Sequence, residues 1–182
     1  MEHSGEIWQE LDYNGERIGG IEPGDFDEKK VRLFSATVVM LYRFRNGEVE
    51  YLFQHRSKSL KANPDKWDTS AGGHVNLNEP MIDAMVREAQ EEIGADINKE
   101  KLELAATFLR WKIMTGFYFY DWTNEEDNFH FDDQEVEEVK WVKYSELADF
   151  LPNLKATLAN DKVFLYYLEE WNQKILEKYE NH

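Results

Sequence analysis

Apolar and polar positions change period several times along the chain. Residues 6–12 and 17–22 alternate, and they flank Tyr13-Asn14-Gly15-Glu16. That pattern predicts an N-terminal β-hairpin within about residues 1–30. Pro23-Gly24-Asp25 then breaks the chain. Residues 33–45 alternate and contain Thr37-Val38-Val39, which predicts a strand. Asn46-Gly47 turns this strand into a second one over 48–55. A polar loop over 58–66 leads to a short extended piece over 67–71 that ends at Gly72-Gly73.

The strongest helix signal follows. Asn78 or Glu79 is the expected cap, with Pro80 in the first turn. Ile82, Met85, Val86, Ala89 and Ile93 form an apolar stripe at helical spacing, and Gly94 ends it. Strands are predicted over 102–110, 112–122 and 136–142, with an acidic loop over 124–134. A short helix over 144–151, stopped by Pro152, precedes a long amphipathic helix over about 161–180. No repeat or long linker interrupts this order, so the 182 residues are expected to form one α+β or α/β sandwich domain.

Composition narrows the chemistry. Against 37 acidic side chains stand 21 basic ones, a formal charge of −16. Such a surface repels nucleic-acid backbone and anionic lipid, so neither is an expected partner. A phosphate substrate would need a divalent cation between itself and the acidic residues. The chain has no cysteine, which excludes disulfides and thiolate chemistry. It shows no secretory signal, and its longest apolar runs fall far short of the roughly 20 residues that span a bilayer. A cytoplasmic location is the expectation.

On a helical wheel, Glu88, Glu91 and Glu92 share a sector beside the apolar stripe, at i, i+3 and i+4. An acidic triplet alone is usually a solvated face. The surrounding pattern changes that reading: Gly73, five residues, Glu79, seven residues, Arg87-Glu88-Ala89-Gln90-Glu91-Glu92-Ile93-Gly94. Residues 73–95 resemble the box of the Nudix superfamily. Ala95 stands where that family usually has a bulky aliphatic residue.

The resemblance implies an α/β/α sandwich with a mixed sheet between helices. It also implies hydrolysis of a diphosphate linkage in a nucleoside diphosphate derivative or related small molecule, with Mg²⁺ or Mn²⁺ as cofactor. By the same resemblance, Glu88 and Glu92 are expected metal ligands, with the Gly72 carbonyl beside them. Glu91 is expected to hold a second metal or act as base, Arg87 to orient a carboxylate, and Glu79 to fix the loop. Glu135, ahead of Trp141, is a candidate for a further carboxylate outside the box. An acidic strand start on the surface is the alternative for it.

Gln54-His55-Arg56-Ser57 and Trp67-Asp68-Thr69-Ser70-Ala71-Gly72-Gly73-His74-Val75 resemble the branch that contains isopentenyl-diphosphate isomerases. Those enzymes need a cysteine where this chain has Gly72, and extra histidines that residues 31–35 do not offer. The resemblance therefore implies hydrolysis over isomerisation. A non-cleaving ligand-binding module is the other alternative, disfavoured by the intact box carboxylates. His74 is read as a loop histidine or a metal ligand. Arg56, Arg110 and Trp67 are candidates for substrate contact, as are Trp111, Phe117 and Tyr118 unless they are core. The N-terminal hairpin and terminal helix offer surfaces for a homodimer.

Overall fold

A computed structural model describes residues 6–25, 32–132 and 134–180. The hairpin forms from β1 (Trp8–Leu11) and β2 (Arg17–Ile21). The Asp12 carboxylate accepts the amides of Asn14 at 2.8 Å and Glu16 at 2.9 Å, and Gly15 takes the left-handed φ of 84° that the turn demands. The rest of the expected hairpin region, 1–5 and 26–30, lies outside the described residues.

β3 (Leu33–Arg45) organises everything that follows. The remaining strands are β4 (Glu48–Arg56), β5 (Trp67–Asp68), β6 (Ala71–His74), β7 (Glu103–Arg110), β8 (Ile113–Asp121) and β9 (Val136–Lys143). The helices are α1 (Met81–Ile93), α2 (Leu147–Phe150), α3 (Ala156–Ala159) and α4 (Lys162–Glu180). One edge of β3 pairs in parallel with β8 from Phe34 to Tyr42. Its other edge is shared by three antiparallel partners in turn: β1 at Leu33–Phe34, β6 at 36–39, and β4 at 42–45. β4 then leaves β3 and continues between β5 and β9.

The sheet therefore splits between β6 and β4, and Ser70 fills the fork. Its hydroxyl accepts the Leu41 amide at 2.8 Å and donates to the Leu52 carbonyl at 2.6 Å, while its own amide donates to Val39 at 3.1 Å. This explains why 67–71 is two short strands rather than the one extended piece expected: Thr69 and Ser70 turn the chain from β4's partner to β3's.

β3 and β8 are buried on both faces. Phe117 and Phe119 point into one core with Met40, Tyr42, Phe164, Leu168 and Ile175. Tyr118 and Tyr120 point into the other with Val39, Leu41, Met85, Ala89 and Ile93. Trp171 of α4 stacks on Phe119 at 4.3 Å. The α/β/α sandwich is thus α1, sheet, α4. Phe117 and Tyr118 belong to the core, whereas Trp111 sits exposed at the β7–β8 turn.

Helix α1 starts later than expected. Pro80, with extended backbone, is its cap and makes no side-chain cap bond. Asn78 adopts a left-handed φ of 65°, and Glu79 turns to other partners described below. Gly94 ends the helix with φ 64° and donates to Gln90 at 3.1 Å. The short α3 had no sequence signal that separated it from α4. No helix among the described residues is long and apolar enough to cross a membrane.

Replacing Ser70 by alanine leaves a buried amide and a buried carbonyl without partners. Urea denaturation of Ser70→Ala should show a loss of about 2–4 kcal/mol; a loss below about 0.5 kcal/mol would contradict the fork assignment.

Candidate active site

The apolar stripe of α1 packs on the sheet and carries Glu88 and Glu92 inward with it. They are only 8% and 5% exposed. What makes room for them is the absence of side chains at Gly72 and Gly73 of β6. A Cβ on Gly73 would overlap the Glu88 carboxylate. The Gly72 amide donates to Glu92 Oε2 at 2.8 Å. The hairpin presses this loop against the helix: Gln9 donates to the Val75 carbonyl at 2.9 Å and Leu77 to the Ile7 carbonyl at 2.7 Å. Trp8 stacks on His74 at 3.8 Å, which makes His74 a packed strand-end residue.

Arg87 ties loop and helix together with all five of its N–H groups. Nε and one terminal nitrogen clamp Glu79 at 3.0 Å each, and that terminal nitrogen also reaches the His74 carbonyl at 3.0 Å. The other terminal nitrogen donates to Glu88 and Glu91, both at 2.9 Å. Glu79 Oε2 in turn accepts the Asn76 amide at 3.0 Å. Burial would lower the pKa of Arg87, but hydrogen bonds and charge from Glu79, Glu88 and Glu91 outweigh it, so the guanidinium is held firmly protonated. Glu91 stands at the rim with its side chain 49% exposed.

Burial acts oppositely on the inner carboxylates. Desolvation pushes Glu88 up to about 7 despite the charge and hydrogen bond of Arg87. Desolvation also raises Glu92 well above the usual range; the Gly72 amide opposes this, and the charges of Glu88, Asp68 and Glu135 add to it. Glu135 and Asp68 therefore stand close enough to press on Glu92. Glu135 is half-buried at the head of β9, and its carbonyl accepts the Ser57 amide at 2.7 Å.

Two residues were given no role by sequence reasoning. Gln54, 2% exposed on β4, donates to Glu92 Oε2 at 3.1 Å. Asp68, 3% exposed on β5, accepts Lys155 Nζ at 2.6 Å and faces Arg56 at 3.6 Å. The signal for Gln54 was a polar residue closing the apolar run Tyr51-Leu52-Phe53. The Lys155 contact crosses 87 positions and left no such trace.

Of the candidates for substrate contact, Arg56 lies nearest this cluster: it reaches the Ala62 carbonyl at 3.2 Å and keeps Nε buried without a partner. The Trp67 ring packs on Phe150 at 5.4 Å and His55 at 4.9 Å. Arg110 is held by both oxygens of Asp161 at the start of α4.

The NUDIX domain matches residues 32–167. The chain belongs to the Nudix family. It is 28% identical over 162 residues to the RNA pyrophosphohydrolase of Nitratiruptor sp., covering 79% of this chain and 97% of that one. It is 26% identical over 170 residues to an isopentenyl-diphosphate Delta-isomerase of Aliivibrio fischeri, covering 89% and 90%. It also matches Nudix hydrolase 3 of Arabidopsis thaliana at 28% identity over 62% of this chain, but spans only 16% of that protein. An uncharacterized Nudix hydrolase of Pseudomonas aeruginosa is spanned over 47% of its length. A Deinococcus radiodurans crystal structure superposes with TM-score 0.66 at 22% identity, over 85% of this chain and 95% of that one, which shows the Nudix fold.

This Nudix site suits a hard divalent cation. Its donors are oxygen only, and two carboxylates are buried with a single cationic partner between them. Among the described residues, no three acidic or histidine side chains converge as a closed cage. Instead Glu88 bonds Arg87 through Oε1, and Glu92 receives both Gly72 and Gln54 on Oε2.

The raised pKa of Glu88 has a consequence for stability. The stability provided by its protonated form is complete below the ordinary 4.5 and is lost as pH rises through about 7. In chelator, Glu88→Gln should therefore gain on the parent chain between pH 5 and 8, by about 2–3 kcal/mol in denaturant titrations. A stability difference independent of pH would contradict this burial.

Proposed function

We propose that the chain is a divalent-cation-dependent hydrolase that cleaves a diphosphate linkage in a nucleoside diphosphate derivative or related small molecule. The observation that carries this reading is the burial of Glu88 and Glu92 against the bare backbone of Gly72 and Gly73. Carboxylates pushed toward neutrality by burial gain most from a cation that restores their charge. Family membership and the relatives named for hydrolysis of diphosphates support the reaction class.

Glu88, Glu92 and the Gly72 carbonyl are the proposed holders of Mg²⁺ or Mn²⁺, with Glu135 and Glu91 at the periphery. When bound there, the cation would offset phosphate charge and acidify the attacking water. Arg87 fixes Glu88 and Glu91 in direction. Glu91, half-exposed at the rim, is the proposed general base and would hold the proton released by the attacking water. Arg56 offers a guanidinium beside Asp68 for a phosphate oxygen. A solved relative, the Nudix domain of Shewanella oneidensis NrtR, superposes with TM-score 0.61 at 16% identity over 84% of this chain and holds ADP ribose, a diphosphate of the proposed kind.

Isomerisation is disfavoured by space as well as by sequence. A Cβ on Gly72 would stand 2.6 Å from the Thr37 carbonyl and 2.7 Å from Val38 Cγ1, so a cysteine at that position would force the strands apart.

Phosphate release from a panel of diphosphates with Mg²⁺ or Mn²⁺ tests the activity. Glu92→Gln should lose several orders of magnitude in rate while circular dichroism shows the fold retained. Unchanged turnover in that variant would overturn the assignment.

A further inference from the structure

The strand β4 changes character near its end. Tyr51 and Phe53 point into the core under α4, and Leu52 points into the core under α1. Gln54 is the next residue on the α1 face, as strand alternation requires. Its backbone is paired on both edges, with Asp68 of β5 and Val139 of β9. The sheet thus fixes where this side chain starts, and close packing at 2% exposure fixes where it goes.

That side chain directs its donor at Glu92. Nε2 stands 3.1 Å from Glu92 Oε2. A carboxylate only accepts, so the amide must present its nitrogen there. The Oε1 of Gln54 is buried and takes no hydrogen bond from a described residue. Burying a primary amide on these terms is costly, because an acceptor without a partner has lost its hydration. A leucine would fill similar space without that loss. The arrangement is better suited to orienting Glu92 than to stabilising the fold.

The kind of donor matters as much as its position. Glu88 bonds a guanidinium, whereas Glu92 receives two neutral N–H groups, from Gly72 at 2.8 Å and Gln54 at 3.1 Å. Both fall on Oε2, and neither occupies Oε1. A neutral donor turns a carboxylate without cancelling its charge. A lysine at residue 54 would cancel that charge and compete with any cation that Glu92 is to hold.

We infer that Gln54 is a positioning residue for the proposed cation site: it holds Glu92 by one oxygen, leaves the other for the cation and adds no charge of its own. The inference rests on the hydrolase reading and extends its site to a strand outside the helix and loop of residues 73–95. Residues that orient a metal ligand in this way typically account for about 10–100-fold in metal affinity.

Titration with Mn²⁺, followed by the electron paramagnetic resonance signal of the free ion, tests this without a substrate. Gln54→Leu should keep the circular dichroism of the parent chain and bind Mn²⁺ at least about tenfold more weakly. Gln54→Met serves if the leucine variant does not fold. Gln54→Lys should weaken binding further than either, because it brings a competing charge. A purely structural role would lower the urea midpoint and leave the Mn²⁺ affinity of the folded variant unchanged; that result overturns the role of Gln54 alone, as does parent-like affinity in Gln54→Lys. No Mn²⁺ binding by the parent chain overturns the hydrolase reading, and this inference with it.

Discussion

Two carboxylates of one helix lie buried against the bare backbone of two successive glycines, Gly72 and Gly73. That arrangement costs desolvation energy that the protein recovers only in part, through one guanidinium, one backbone amide and the Gln54 side-chain amide. The rest of the structure serves to hold it. Ser70 fills the fork and sets β6 beside β3. The N-terminal hairpin pins the loop after β6, and the apolar stripe of α1 sets the depth at which Glu88 and Glu92 sit. Arg87 is the joint between these parts, since its five hydrogen bonds reach loop, helix and carboxylates at once. A lysine has neither the planar fork nor the donors to replace it.

The two glycines divide the labour of the site. Gly73 yields its side-chain space to Glu88, and Gly72 yields its own to Val38 while lending its amide to Glu92. The two positions thus face opposite sides of the same short strand. With a formal net charge of −16 the protein's general field repels phosphate, so the proposed cation would have to supply the attraction locally.

Much of this could be read from residues alone. The box helix, its apolar stripe, the strand over 112–122 and the long terminal helix all follow from local periodicity. The helical wheel places Glu88, Glu91 and Glu92 in one sector beside that stripe; the structure buries Glu88 and Glu92 and leaves Glu91 at the rim. What escaped was non-local or was decided by competition. The expected caps Asn78 and Glu79 gave way because Arg87 claims the Glu79 carboxylate. Trp67 and Arg110, candidates for substrate, are engaged by Phe150 and Asp161, partners more than 50 positions away. Gln54 and Asp68 join the site only because β4 leaves β3, and no local pattern announces where a sheet will fork.

The central claim is that Glu88 and Glu92 are buried to hold a divalent cation at the glycine strand. Diffraction from crystals grown with Mn²⁺, recorded at the manganese absorption edge, tests it most directly. An anomalous peak within coordination distance of both carboxylates and the Gly72 carbonyl is the predicted result. Ordered crystals in which Mn²⁺ binds elsewhere, with Glu88 and Glu92 still bonded only to Arg87, Gly72 and Gln54, would contradict the account.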